Sequence, residues 1–227
     1  MDFVIEPAER PALPVSGTDK MFPLRRVYCV GRNYADHARE MGHDPDREPP
    51  FFFQKNPDCV FVGPEFPYPA ASSDVHHEIE LLVALKSGGR DIAVADAPGH
   101  VFGYAVALDM TRRDLQAEAK KLARPWETAK AFDRSGPCGP VVPAARIGHP
   151  ASGAIWLDVN GARRQQGDLK DMIWKVPEMI AFLSRFFELC PGDVIFSGTP
   201  AGVGPVVRGD RLSGGVEGVG VLDVTVV

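Results

Sequence analysis

Two glutamates separated by one residue, in His77-Glu78-Ile79-Glu80, form the densest chemical feature of the sequence. On a strand, residues two apart face the same way, so Glu78 and Glu80 would present their carboxylates together. Such a pair repels itself unless a cation or a proton lies between the two groups. The residues that follow, 81–85, are apolar. The pair therefore sits where a strand enters a core, a poor place for unpaired charge. Asp109 ends a second apolar run, 101–108, much as Glu78 begins one. If the two runs are neighbouring strands, the carboxylates of Glu78, Glu80 and Asp109 converge. All-oxygen ligation of that kind suits Mg²⁺, Mn²⁺ or Ca²⁺ better than zinc. The bland alternatives are a solvated strand end for the glutamates and a helix cap for Asp109.

Other residues gain interest from their distance to this group. Arg113, Gln116 and Lys120 are spaced to share one helical face, either a pocket wall or a solvated surface. Lys130 lies between Trp126 and Phe132, which give it apolar flanks, although a lone lysine is usually at the surface. His37 and Glu40, three apart, could form a carboxylate-supported general base. On spacing alone an exposed helix pair is the better reading. The segment Ser197-Gly198-Thr199-Pro200-Ala201-Gly202-Val203-Gly204 lacks the phosphate-loop pattern. It is either a plain turn or a loop that brings backbone N–H groups to an anion.

These side chains need elements to hold them. Short apolar runs at 27–30, 51–53, 59–62, 78–86, 100–110, 194–197 and 219–227 read as strands. Residues 154–159 and 162–166 flank Asn160-Gly161 and read as a hairpin, because Asn-Gly suits a tight two-residue turn. Helices are expected at 33–41, 112–122 and 176–189, the last with Pro177 in its first turn, where a missing N–H is harmless. The charged, proline-containing stretch 42–50 reads as a mobile lid beside the first helix. Strands outnumber helices and do not alternate regularly with them, which predicts an α+β fold with a β-rich core. Residues 1–23 read as an N-terminal arm lying over the body or over a partner subunit.

The 227 residues suit one main domain, and 44% hydrophobic with 24% charged residues indicates a packed core rather than disorder. The net charge of -5 and the lack of a long basic run argue against a nucleic-acid partner. No apolar stretch reaches membrane-spanning length, and the N-terminus lacks the apolar centre of a signal peptide. Cys29, Cys59, Cys138 and Cys190 form no Cys-x-x-Cys pair and read as reduced thiols of a cytoplasmic protein.

The motifs also occur in a familiar order. Gly31-Arg32-Asn33-Tyr34 is followed by His37 and Glu40, then His77-Glu78-Ile79-Glu80, Asp109-Met110-Thr111, Lys130 and the 197–204 loop. In this order, across residues 24–227, the chain resembles the fumarylacetoacetate hydrolase family. The resemblance implies a catalytic domain at 24–227 with the mixed β-sandwich roll of that family's C-terminal domain, usually as a homodimer. It implies Mg²⁺ or Mn²⁺ held by Glu78, Glu80 and Asp109, and His37 with Glu40 as a catalytic dyad on a lid that orders over substrate. It places Lys130 and Gln116 in the pocket, and Arg113 and Thr199 at substrate-contacting positions. The implied reaction is metal-dependent hydrolysis of the carbon–carbon bond of an acylpyruvate, a small diketo acid. Residues 51–61, 125–132 and 165–175 are most similar to members acting on fumarylpyruvate, which yields fumarate and pyruvate in gentisate degradation. Oxaloacetate decarboxylation, diene-dioate isomerisation and a non-enzymatic β-rich binding protein are the competing expectations.

Overall fold

The computed structural model describes residues 2–36 and 48–227. His37, Glu40 and most of the expected lid segment lie outside these residues.

The strand Ile79–Leu85 organises the molecule. All seven of its residues are buried, so it has an apolar layer on both faces. Ile79, Leu81, Val83 and Leu85 enter one core, and Leu82 and Ala84 enter another, as the two-residue period requires. This strand is central in a six-stranded sheet. The order is Val142–Pro143, Val101–Leu108, Ile79–Leu85, Val194–Phe196, Val27–Gly31 and Phe51–Lys55. Ile79–Leu85 pairs antiparallel with Val101–Leu108 and with Val194–Phe196, while Val194–Phe196 pairs parallel with Val27–Gly31. The sheet is therefore mixed.

A five-stranded sheet covers the first core. It comprises Ala162–Asp168, Ala154–Val159, Arg211–Val216, Gly220–Val226 and Glu65–Phe66. Ile155, Leu157, Leu212 and Val224 from this sheet join Ile79, Leu81 and Val83 in one apolar layer, which makes a β-sandwich. The helix Val176–Ser184 adds Val176, Met179, Ile180 and Leu183, the spacing of an apolar helical stripe. On the other face of the six-stranded sheet, Leu13, Val15 and Phe22 close over Leu82, Ala84, Val27 and Phe196. They flank or belong to the antiparallel pair Ala12–Pro14 and Met21–Pro23, so part of the N-terminal segment is core. The expected β-rich α+β sandwich is the observed fold.

Three expected elements differ. The helix expected at 33–41 does not begin at 33, since Tyr34 forms an antiparallel bridge with Met172, and residues 37–41 lie outside the described ones. The helix predicted to reach 189 ends at Ser184, because the amides of Arg185 and Phe186 bond to the carbonyls three residues back, Phe182 and Leu183, which tightens the last turn. That turn lets Leu189 reach the core and donate its N–H to the Gly89 carbonyl. The strand expected at 59–62 is a 3-10 turn, Pro57–Cys59, followed by the short strand Val60–Phe61, because Pro57 starts a turn where the chain would otherwise extend. The Asn160-Gly161 hairpin forms as predicted, with φ of 53° and 78°, the left-handed pair a tight turn needs.

Candidate metal centre and its pocket

Ile79 pairs with Leu108 across the sheet, so the end of one strand faces the end of the other. The Asp109 N–H then donates to the Glu78 carbonyl at 2.8 Å. Glu78 and Glu80 project on the same side as Leu82 and Ala84. One carboxylate oxygen from each of Glu78, Glu80 and Asp109 lies within 4.8 Å of the others, and all three residues are buried. The convergence expected from neighbouring strands is present.

Cations surround this group unevenly. Lys130, at the end of the short helix Glu127–Lys130, places Nζ 2.7 Å from Glu78 Oε2 and 2.7 Å from Asp109 Oδ2. Burial favours its neutral form, but the Asp109 and Glu78 charges outweigh it, so the Lys130 pKa is raised. Arg113 donates to Glu78 Oε1 at 2.5 Å and to Gln116 Oε1 at 2.6 Å. Lys55 Nζ lies 2.8 Å from Asp109 Oδ1 as an ion pair rather than a directed hydrogen bond, which leaves that buried oxygen without a hydrogen-bond donor. Glu80 has no cation at ion-pair distance among the described residues. Its Oε2 accepts from the Gly198 N–H at 2.7 Å. Burial, then the charges of Asp109 and Glu78, push the Glu80 carboxyl well above its ordinary range. An all-oxygen buried set with one orphaned acceptor and one uncompensated acid fits a hard divalent cation such as Mg²⁺ or Mn²⁺.

The loop after Val194–Phe196 has a definite task here. Of a plain turn and an anion loop, the structure has the second, and the anion its Gly198 N–H meets is Glu80. Gly198 has φ of 92°, and a Cβ there would lie 2.7 Å from Asn33 Cβ, so glycine is required on both counts. Thr199 is buried and its Oγ1 accepts from Gln165 Nε2 at 2.8 Å, leaving its own proton to donate.

A cavity opens above the carboxylates. Glu78, Glu80, Asp109, Arg113, Gln116, Lys130 and Thr199 all contribute to its lining. The structure thus brings together every predicted site residue it describes. Gln116 is buried on the helix Arg113–Lys121, and its amide NH₂ has no acceptor among the described residues. Sequence reasoning missed Lys55 and Gln165. Lys55 continues the face of Phe51 and Phe53 along Phe51–Lys55, and a lysine ending a run of phenylalanines is its only sequence signal. Gln165 is fully buried on a strand otherwise rich in polar, exposed residues. It bonds His77 Nδ1 at 2.9 Å, accepts the Ile79 N–H at 3.1 Å and donates to the Pro200 carbonyl at 2.8 Å, tying the acidic strand to the glycine loop.

With fold and site in place, the family follows. The sequence pattern described as fumarylacetoacetate (FAA) hydrolase C-terminal matches residues 26–227, and the chain belongs to this family of enzymes. A crystal structure of fumarylpyruvate hydrolase from Pseudomonas aeruginosa, in complex with Mn²⁺ and pyruvate, is similar with a TM-score of 0.98 and 53% identity, covering 100% of this chain and 99% of that one. An oxaloacetate tautomerase of Escherichia coli is 42% identical over 85% of this chain and 88% of its own length. The human mitochondrial oxaloacetate tautomerase is 41% identical over 86% and 88%. Among the described residues, no helix is long and apolar enough to cross a membrane.

Proposed function

We propose that this chain is a metal-dependent hydrolase that cleaves an acylpyruvate, with fumarylpyruvate as the substrate and fumarate and pyruvate as products. The observation that carries the reading is the buried triad of Glu78, Glu80 and Asp109 with Lys130 bridging two of its members. Likeness to a fumarylpyruvate hydrolase over the whole chain supports the substrate. We read residues 24–227 as the catalytic domain and 1–23 as its arm, working as a homodimer in the cytoplasm.

Glu78, Glu80 and Asp109 would hold Mg²⁺ or Mn²⁺, which would supply Lewis acidity at the oxo-acid end of the substrate. Lys130 is held charged by Asp109 and Glu78, so it can donate to the carbonyl oxygen that turns negative during attack. The Gln116 NH₂, which has no acceptor among the described residues, and the Thr199 hydroxyl proton are the donors offered to substrate oxygens. Arg113 steadies Glu78 and adds positive charge to the cavity wall. His37, supported by Glu40, is assigned as the base that takes a proton from water.

The oxaloacetate tautomerases among the relatives favour a second reading, keto–enol exchange on the same centre. One experiment separates them. The purified protein is incubated with Mg²⁺ and fumarylpyruvate, and pyruvate and fumarate are quantified with a chelator control. Equal, chelator-sensitive yields support hydrolysis. No cleavage, with chelator-sensitive interconversion of oxaloacetate tautomers, would replace it by the second reading. Pyruvate and CO₂ from oxaloacetate would point to decarboxylation instead.

A further inference from the structure

The cavity has a second charged region that the triad does not explain. Arg32 and Lys120 also line it, and neither has an ion-pair partner among the described residues. Each lies instead against an aromatic ring. The Arg32 guanidinium is 5.3 Å from the centre of Phe51, and Lys120 Nζ is 5.3 Å from Trp126. Phe51 and Trp126 meet edge to face, with centroids 5.5 Å apart, so the two cations flank one aromatic shelf.

The backbone around Arg32 is shaped for this placement. Arg32 has φ of 57°, the left-handed region that a side chain with a Cβ rarely adopts. A Cβ on the preceding Gly31 would lie 2.0 Å from the Phe51 ring, so the shelf exists only because residue 31 is glycine. The helix Arg113–Lys121 spaces the two charged regions. Arg113 touches Glu78, and Lys120, on the same face, lies about 10 Å further along the axis at helical rise. Partial desolvation, and then the like charges of Arg113 and Arg32, hold the Lys120 ammonium below its ordinary value. An anion placed between Arg32 and Lys120 would relieve that repulsion.

We propose that Arg32 and Lys120 form a distal anion subsite that receives the far carboxylate of the acyl group, while Phe51 and Trp126 carry its planar carbon chain. This rests on the hydrolase reading and deepens it. It makes the preferred substrate a long dicarboxylate rather than a short oxo acid such as oxaloacetate, whose second carboxylate stays near the triad.

The test compares fumarylpyruvate with acetylpyruvate, which has the same diketo unit without the far carboxylate. The quantity read is the ratio of their kcat/KM values in Mg²⁺-loaded enzyme. Lys120→Met and Arg32→Gln should each lower the ratio by about tenfold or more, the scale of a lost charge-assisted bond. Lys120→Arg should restore most of it. A ratio unchanged in Lys120→Met, which sits on an exposed helix position and should fold normally, would overturn the subsite. So would equal losses on both substrates. If the native enzyme cleaves neither compound, the hydrolase reading has failed, and the subsite is judged by calorimetric titration of fumarate into chelator-treated protein. Binding at least tenfold weaker in both variants supports it, and binding that is absent or unaffected overturns it.

Discussion

Glu80 is the site's most strained acid, buried beside two other carboxylates and steadied by one backbone N–H. Replacing it should therefore expose what the triad does. In native protein, Mn²⁺ added well above its dissociation constant should raise the thermal midpoint, since about 2.7 kcal/mol is gained at a hundredfold excess. Glu80→Ala should lose both that shift and turnover, as thermal scanning and a product assay would record. Lys55 tests the opposite charge. Its side chain is fully buried against Asp109, and it also donates to Ser135 Oγ at 2.9 Å. Lys55→Met should lower stability in chelator by about 1–3 kcal/mol, the cost of leaving Oδ1 of the buried Asp109 without its cation while Lys130 still holds Oδ2, measured by urea unfolding. The carboxylates were legible because a two-residue period and two apolar runs announce them. Lys55 was not, since its partner is far away in sequence and only the assembled sheet brings Asp109 to it.

Among the elements, the glycine loop after Val194–Phe196 sets the geometry of the acids. Gly198→Ala would force a Cβ against Asn33 and strain a positive φ, drawing the N–H away from Glu80. The expected result is weaker Mn²⁺ binding by calorimetry, together with a stability loss above the ~1 kcal/mol of an unobstructed glycine-to-alanine change at positive φ. The paired strands, the Asn-Gly hairpin and the helix bearing Arg113 were readable from local pattern. The end of the helix Val176–Ser184 was not, because it is decided by where Leu189 must reach rather than by propensity. Gln165 was hidden for a similar reason. Its strand reads as polar, and only its bonds to His77, Ile79, Thr199 and Pro200 distinguish it from its neighbours.

The whole molecule carries a net charge of -5, yet one side of its cavity is cationic. Attraction of a dianion to Arg32 and Lys120 at the rim should weaken as salt shortens the screening length. Raising ionic strength from very low to physiological values should increase KM for fumarylpyruvate several-fold with little change in kcat, in steady-state assays. A constant KM would mean that the rim charges do not attract substrate. The strand Ile79–Leu85 has one more consequence, because apolar layers cover both its faces while the acids emerge on only one. A pairing slip of a single residue would turn Glu78 and Glu80 toward the layer built from Leu157, Leu212 and Val224. That misalignment would sink two negative charges into hydrocarbon, a heavy penalty. The residues that equip the chain for chemistry therefore also proofread its assembly, since a strand threaded out of step cannot hide its mistake.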